Sequence, residues 1–136
     1  KKMTFVTFLM TQNRPININL LKIKLPLSAF LSITHRISGI LIFFLVLPLS
    51  ILAFSELTQN QDSFDNFMNM YHTNFGIKFG CIVLILIFQY HIFAGIRHML
   101  MDFHILNESL SSSYRSAVTT LVLFAINALL TLWVML

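Results

Sequence analysis

The sequence predicts an all-α membrane protein with three transmembrane helices, and its composition and hydropathy carry that prediction. Hydrophobic residues make up 57 % of the 136 residues and charged residues only 10 %, whereas a soluble domain carries about a quarter charged residues. The mean hydropathy is +0.79. Three apolar runs are each long enough to cross a bilayer, and we expect spans over residues 28–54, 76–101 and 116–136. The length fits one membrane domain over residues 1–136.

Two prolines shape the first predicted helix. Pro26 stands in its first turn, where a missing N–H has little consequence. Pro48 falls inside the apolar run and cannot donate to the carbonyl one turn earlier. The sequence therefore predicts a kink near Phe44.

The two connections between the spans differ in pattern. In the first, apolar side chains recur at helical spacing: Phe64, Phe67, Met68 and Tyr71. This spacing suggests a short amphipathic helix on the outer membrane surface. An irregular loop with scattered aromatic residues is an equal alternative. In the second, the serine-rich stretch from Ser109 to Ser113 predicts an exposed cytoplasmic loop.

The charges predict an orientation rather than a nucleic-acid partner. Residues 1–36 hold six Lys or Arg and no acid, and Arg97 and Arg115 follow in the second connection. The first connection holds three acids against Lys78 alone. The positive-inside rule therefore places the N-terminus and the second connection in the cytoplasm. The same basic residues would also suit anionic lipid.

A histidine inside the second apolar run is the main candidate for chemistry. Eighteen residues without formal charge separate Lys78 from Arg97, which is roughly 27 Å of helix, and His91 lies among them. An imidazole at that depth needs a partner in protein, in a water-filled cavity or on a metal. Cys81 is the only cysteine, so redox chemistry needs another centre. The residue chemistry alone leaves a haem or metal ligand and a packing hydrogen bond as equal alternatives.

His91 shares one helix face with Gly95, His98 and Asp102. Gly95 would admit a flat macrocycle close to the backbone, or else mark a close helix contact. For His98 and Asp102 we expect an interfacial pair, with His98 donating to the carboxylate. Because His91 and His98 are roughly 10 Å apart along the axis, they cannot bind opposite faces of one iron.

A second group lies on one face of the first helix, at its cytoplasmic end: Ser32, His35, Arg36 and Gly39. A hydroxyl, an imidazole and a guanidinium together would bind an anion such as a propionate, or a carbonyl that gains negative charge on reduction. The alternative is that Arg36 extends to the headgroups and Ser32 bonds to its own backbone. The combination favours a binding site.

Three segments resemble one family in order and spacing. They are Arg14-Pro15, the motif SITHRISG over Ser32 to Gly39, and the motif YHIFAGIRHMLMDF over Tyr90 to Phe103. These resemble the cytochrome b membrane-anchor subunit of bacterial succinate dehydrogenase, a succinate:quinone oxidoreductase. The resemblance covers residues 12–136, and the two longer motifs are specific in combination.

The resemblance implies particular roles for four residues. His91 would be one axial ligand of haem b, and a second anchor subunit would supply the other histidine within a heteromeric helical bundle. Ser32 would hydrogen-bond a quinone oxygen, and Arg36 would stabilise the reduced, anionic forms of ubiquinone. His35 and Arg36 would lie near the haem propionates.

The resemblance also implies the setting of the chain. It would be a subunit of an enzyme, succinate:ubiquinone oxidoreductase, beside a flavoprotein and an iron–sulfur subunit in the bacterial inner membrane. It would hold no catalytic residue for succinate, which it would not bind. Two alternatives stay open, a haem-less structural anchor and the anchor of a quinol:fumarate reductase.

Overall fold

The computed structural model describes residues 25–106 and 109–136, and helices account for nearly all of them. The Arg14-Pro15 motif lies outside the described residues, as do the basic residues that precede the first helix. The described elements, in chain order, are α1 (Leu27–Leu41), a π-helical segment (Ile42–Val46), α2 (Leu47–Gln59), α3 (Gln61–Thr73), α4 (Phe75–Asp102) and α5 (Leu110–Met135).

Three helical stretches are long and apolar enough to cross a membrane, which confirms the predicted fold class. They are Leu27–Gln59, Phe75–Asp102 and Leu110–Met135. At most 11 % of the residues in their most apolar windows are buried within the chain. Most apolar side chains therefore face outward, where only lipid or other subunits can cover them.

The first long helix departs from α-helical geometry at the place that Pro48 predicts. The π-helical segment Ile42–Val46 contains Phe44, whose carbonyl would otherwise accept from the residue at position 48. Pro48 itself stands in the first turn of α2, where its ring is tolerated.

The polar connection after α2 forms the amphipathic helix α3, and the irregular loop is thereby ruled out. The Asn60 side chain caps its first turn by accepting a backbone N–H at 2.8 Å. Phe67, Met68 and Tyr71 are half-buried against α2 and α4. The Tyr71 hydroxyl donates to the Met135 carbonyl at 3.1 Å, which joins α3 to the end of α5.

The serine-rich stretch is the start of α5, so the prediction of an exposed loop there was wrong. The Ser109 side chain accepts the backbone N–H of Ser112 at 3.3 Å, and the helix begins at Leu110. Serine favours helix N-caps as well as loops, so composition alone did not separate the two. Ser113, which the loop would have exposed, is buried.

The helix α4 contacts both α1 and α5, which also contact each other. Within the apolar part of its contact with α5, the Gln89 amide donates to the Thr131 hydroxyl at 2.8 Å. A polar pair inside a span fixes the register of two helices, because lipid would leave either group unpaired.

Candidate functional site

Three histidine rings meet where α1 packs against α4. The ring of His35 stacks on that of His91, with centroids 4.2 Å apart and planes inclined by 15°. The ring of His98 lies against His35 at 5.0 Å, tilted by 42°. We call His35, His91 and His98 the histidine cluster. The two α4 histidines that share a face in sequence therefore both contact one histidine of α1.

Two glycines allow this close packing. A Cβ atom built on Gly39 would lie 3.3 Å from Cε1 of His91, and one built on Gly95 would lie 3.2 Å from Nε2 of His35. Each glycine thus stands opposite a histidine of the facing helix. Gly95 was expected to serve either a macrocycle or a close helix contact, and the described chain shows the close contact.

Ser38 determines the tautomer of His91. The Ser38 hydroxyl donates to the His35 carbonyl at 2.7 Å, and its Oγ lies 2.9 Å from Nδ1 of His91. A hydroxyl has one proton, and a carbonyl only accepts, so the second bond must be donated by the Nδ1–H of His91. The neutral ring then keeps its lone pair on Nε2, which is the atom available to a metal.

The predicted quinone residues lie near this cluster. Ser32 is half-buried and Arg36 exposed, one turn apart on the same face of α1. The ring of His98 lies against His35, the residue that precedes Arg36, so Arg36 is near the end of α4. The predicted donation from His98 to Asp102 was wrong for the described chain, because no hydrogen bond joins the pair and the ring packs on His35.

Arg97 was not singled out as a buried residue from the sequence. It follows the apolar run directly, and only 3 % of it is exposed. Its Nε donates to the Ser116 hydroxyl at 3.1 Å, and its Nη2 donates to the carbonyl and hydroxyl of Ser113 at 3.2 and 3.3 Å. No local pattern predicts this burial, because the two serines belong to another helix.

The donor set limits what the site can hold. Among residues 25–106 and 109–136, no three His, Cys, Asp or Glu side chains are placed to bind one metal ion. A haem brings four nitrogens of its own and needs only axial ligands. A single imidazole with a free Nε2, completed by a ligand from another chain, fits that requirement.

The comparisons with known proteins agree with the motifs. The family described as Succinate dehydrogenase/Fumarate reductase transmembrane subunit matches residues 10–133. The chain belongs to this family. Its match spans both longer motifs, from Ser32 to Gly39 and from Tyr90 to Phe103, and the predicted resemblance is confirmed.

Three relatives are named cytochrome b subunits of succinate dehydrogenase. The chain is 38 % identical over 93 residues to the cytochrome b556 subunit of Coxiella burnetii, covering 68 % of this chain and 74 % of that protein. It is 36 % identical over 97 residues to the cytochrome b560 subunit of Reclinomonas americana, covering 68 % and 67 %. The cytochrome b560 subunit of Porphyra purpurea is 33 % identical over 115 residues, covering 82 % and 88 %.

We expect Gly95→Ala to loosen the contact between α1 and α4. The new methyl group would displace the His35 ring by a few tenths of an ångström, and the stacked His91 ring with it. Gly80→Ala is the matched control, because a Cβ there meets nothing within 4 Å. Both changes gain about 1 kcal/mol in helix propensity, so the difference between them reports the packing.

The measurement is the thermal unfolding midpoint of the purified complex. Gly95→Ala should unfold at a lower temperature than Gly80→Ala. Equal midpoints would show that the histidine cluster does not depend on the close approach of the two helices.

Proposed function

We propose that this chain is the haem-b-binding membrane anchor of a succinate dehydrogenase and forms part of its ubiquinone-reduction site. The observation that carries the proposal is His91, which lies in a membrane span with its Nδ1–H held by Ser38 and its Nε2 available. The names of the relatives from Coxiella burnetii, Reclinomonas americana and Porphyra purpurea designate cytochromes b, which are haem proteins.

The haem would be shared with another chain. His91 would supply one axial ligand, and a histidine of a second anchor subunit would supply the other. Bound haem accepts and passes single electrons. The residues of this chain would hold and orient it: Ser38 sets the ligand's tautomer, and His35 and Arg36 offer donors to the propionates. The largely uncovered spans leave room for the second subunit.

The quinone would bind beside Ser32 and Arg36. The Ser32 hydroxyl can donate to a quinone carbonyl oxygen, and the Arg36 guanidinium can stabilise the negative charge that develops there on reduction. Because Arg36 is exposed and Ser32 only half-buried, the site opens away from this chain. The iron–sulfur subunit would close it and deliver the electrons.

The rest of the complex follows from this assignment. Succinate is oxidised on the flavoprotein subunit, and this chain attaches the assembly to the membrane as one anchor domain. By the positive-inside rule, the basic residues would put the N-terminus and the α4–α5 connection on the cytoplasmic side of a bacterial inner membrane. The family description also names fumarate reductase, but the three relatives are all named as succinate dehydrogenase subunits.

We expect Arg36→Leu to lower quinone reduction at least tenfold, since one charge-assisted interaction with the developing anion is worth about 1.5–3 kcal/mol. Succinate oxidation by an artificial dye should be unchanged, because that reaction takes place on the soluble subunits. Lys78→Leu, which removes a cation from the opposite end of α4, is the control and should keep both activities. Near-normal quinone reduction in Arg36→Leu would remove Arg36 from the site.

We expect Ser38→Ala to change the haem environment without removing His91. Loss of the Nδ1 acceptor should weaken haem retention by roughly tenfold and shift the spectrum, as loss of an outer-shell partner commonly does. Ser38→Thr keeps the hydroxyl and should restore both. Ser50→Ala, at an exposed position of α2, is the control.

The readouts are the haem-to-protein ratio and the optical spectrum of the purified complex. His91→Leu provides the reference for a lost ligand. A Ser38→Ala complex with the wild-type haem content and spectrum would contradict the role given to Ser38.

A further inference from the structure

A cavity of about 360 Å³ lies between α4 and α5, on the side of α4 turned away from the histidine cluster. Its walls include Arg97 and Phe93 from α4, and Ser112, Arg115 and Leu123 from α5. The residues of α4 that meet α1, such as Gly95 and His91, belong to the opposite face. The cavity is therefore separate from the proposed haem and quinone sites.

The cavity is positively charged at one end. Only 3 % of Arg97 is exposed, so it is 97 % buried. Its three hydrogen bonds all go to neutral oxygens of Ser113 and Ser116. Within residues 25–106 and 109–136, no carboxylate forms an ion pair with it. A buried guanidinium is costly unless an anion balances it.

Two further features add positive potential at the same end. Arg115 lines the cavity with an exposed side chain, one helical turn after Ser112. Both residues lie in the first turns of α5, a long helix whose N-terminus carries a partial positive charge. The balance of charge therefore favours a negatively charged occupant.

The cavity changes from cationic to apolar along its length. From Ser112 to Leu123 the α5 wall covers about 16 Å at 1.5 Å per residue. The deeper part is lined by apolar side chains and by two threonines, Thr119 and Thr120, and the rim residues Ile96 and Leu123 are 45 % and 49 % exposed. The cationic part lies where α4 ends and α5 begins, which is the depth of the lipid headgroups.

We propose that this cavity binds an anionic membrane phospholipid. Arg97 and Arg115 would contact the headgroup phosphate, since guanidinium groups match phosphate oxygens in pairs. One acyl chain would lie along Phe93 and Leu123 and leave the cavity at its exposed rim. A phosphate group on an apolar chain satisfies both ends, whereas a free anion would leave the apolar half unfilled.

The test is native mass spectrometry of the purified, delipidated complex titrated with phosphatidylglycerol. Wild type should bind it about tenfold more tightly than phosphatidylcholine. Arg115→Gln, a change at an exposed residue that preserves folding, should weaken phosphatidylglycerol binding about tenfold, or about 1.4 kcal/mol. Lys78→Gln removes a cation from the other end of α4 and should leave binding unchanged. Arg97→Lys, which keeps the charge but not the paired donors, should fall between wild type and Arg115→Gln.

Competition by inorganic phosphate distinguishes a lipid site from a simple anion site. Excess phosphate should displace little phosphatidylglycerol, because it cannot replace the acyl chain. The proposal is overturned if phosphate alone displaces the lipid, if both lipids bind equally, or if Arg115→Gln binds phosphatidylglycerol as wild type does. Absence of bound lipid in wild type would overturn the proposal as well.

Discussion

The close contact between α1 and α4 is the constraint on which the rest of the structure depends. Gly39 and Gly95 bring the two backbones near enough for His35 to stack on His91. The same proximity places Ser38 against Nδ1 of His91, and this hydrogen bond determines which ring nitrogen is available to iron. A larger side chain at either glycine would disturb the stacking of His35 on His91. The Ser38 hydroxyl that determines the His91 tautomer donates to the His35 carbonyl, so a shift of His35 would also disturb that tautomer.

The two opposite faces of α4 contact different helices, α1 on one side and α5 on the other. Towards α1 it presents His91, His98 and Gly95, all of which contact His35. Towards α5 it presents Arg97, whose guanidinium is buried against Ser113 and Ser116. Polar groups inside a membrane span need partners within protein, and each face finds them on a different neighbouring helix. The helix is therefore held from both sides in the position that its histidines require.

The sequence was sufficient for the features that local patterns determine. Apolar run lengths predicted three spans, the spacing of aromatic residues predicted α3, and Pro48 predicted the irregularity around Phe44. The motif around His91 identified the family. These signals are strong because they act within one helix or one turn.

Contacts between different helices could not be predicted from the sequence. Nothing near Arg97 in the chain shows that two serines of α5 will bury it, since their separation from it depends on how two helices dock. The partnership of Ser38 with His91 joins residues of different helices in the same way. Serine-rich composition pointed to a loop because serine serves caps and loops alike, and the cap at Ser109 decided the outcome.

We propose that His91 binds a haem b which receives electrons from succinate. The most direct measurement is the optical difference spectrum of the mildly solubilised native complex before and after succinate is added. We expect a reduced b-type haem band, and malonate, which blocks the flavin site, should abolish it. If succinate gives no band, dithionite reduction distinguishes a haem of low potential from no haem. An intact complex without a haem band even after dithionite would contradict the account and leave His91 as a packing residue.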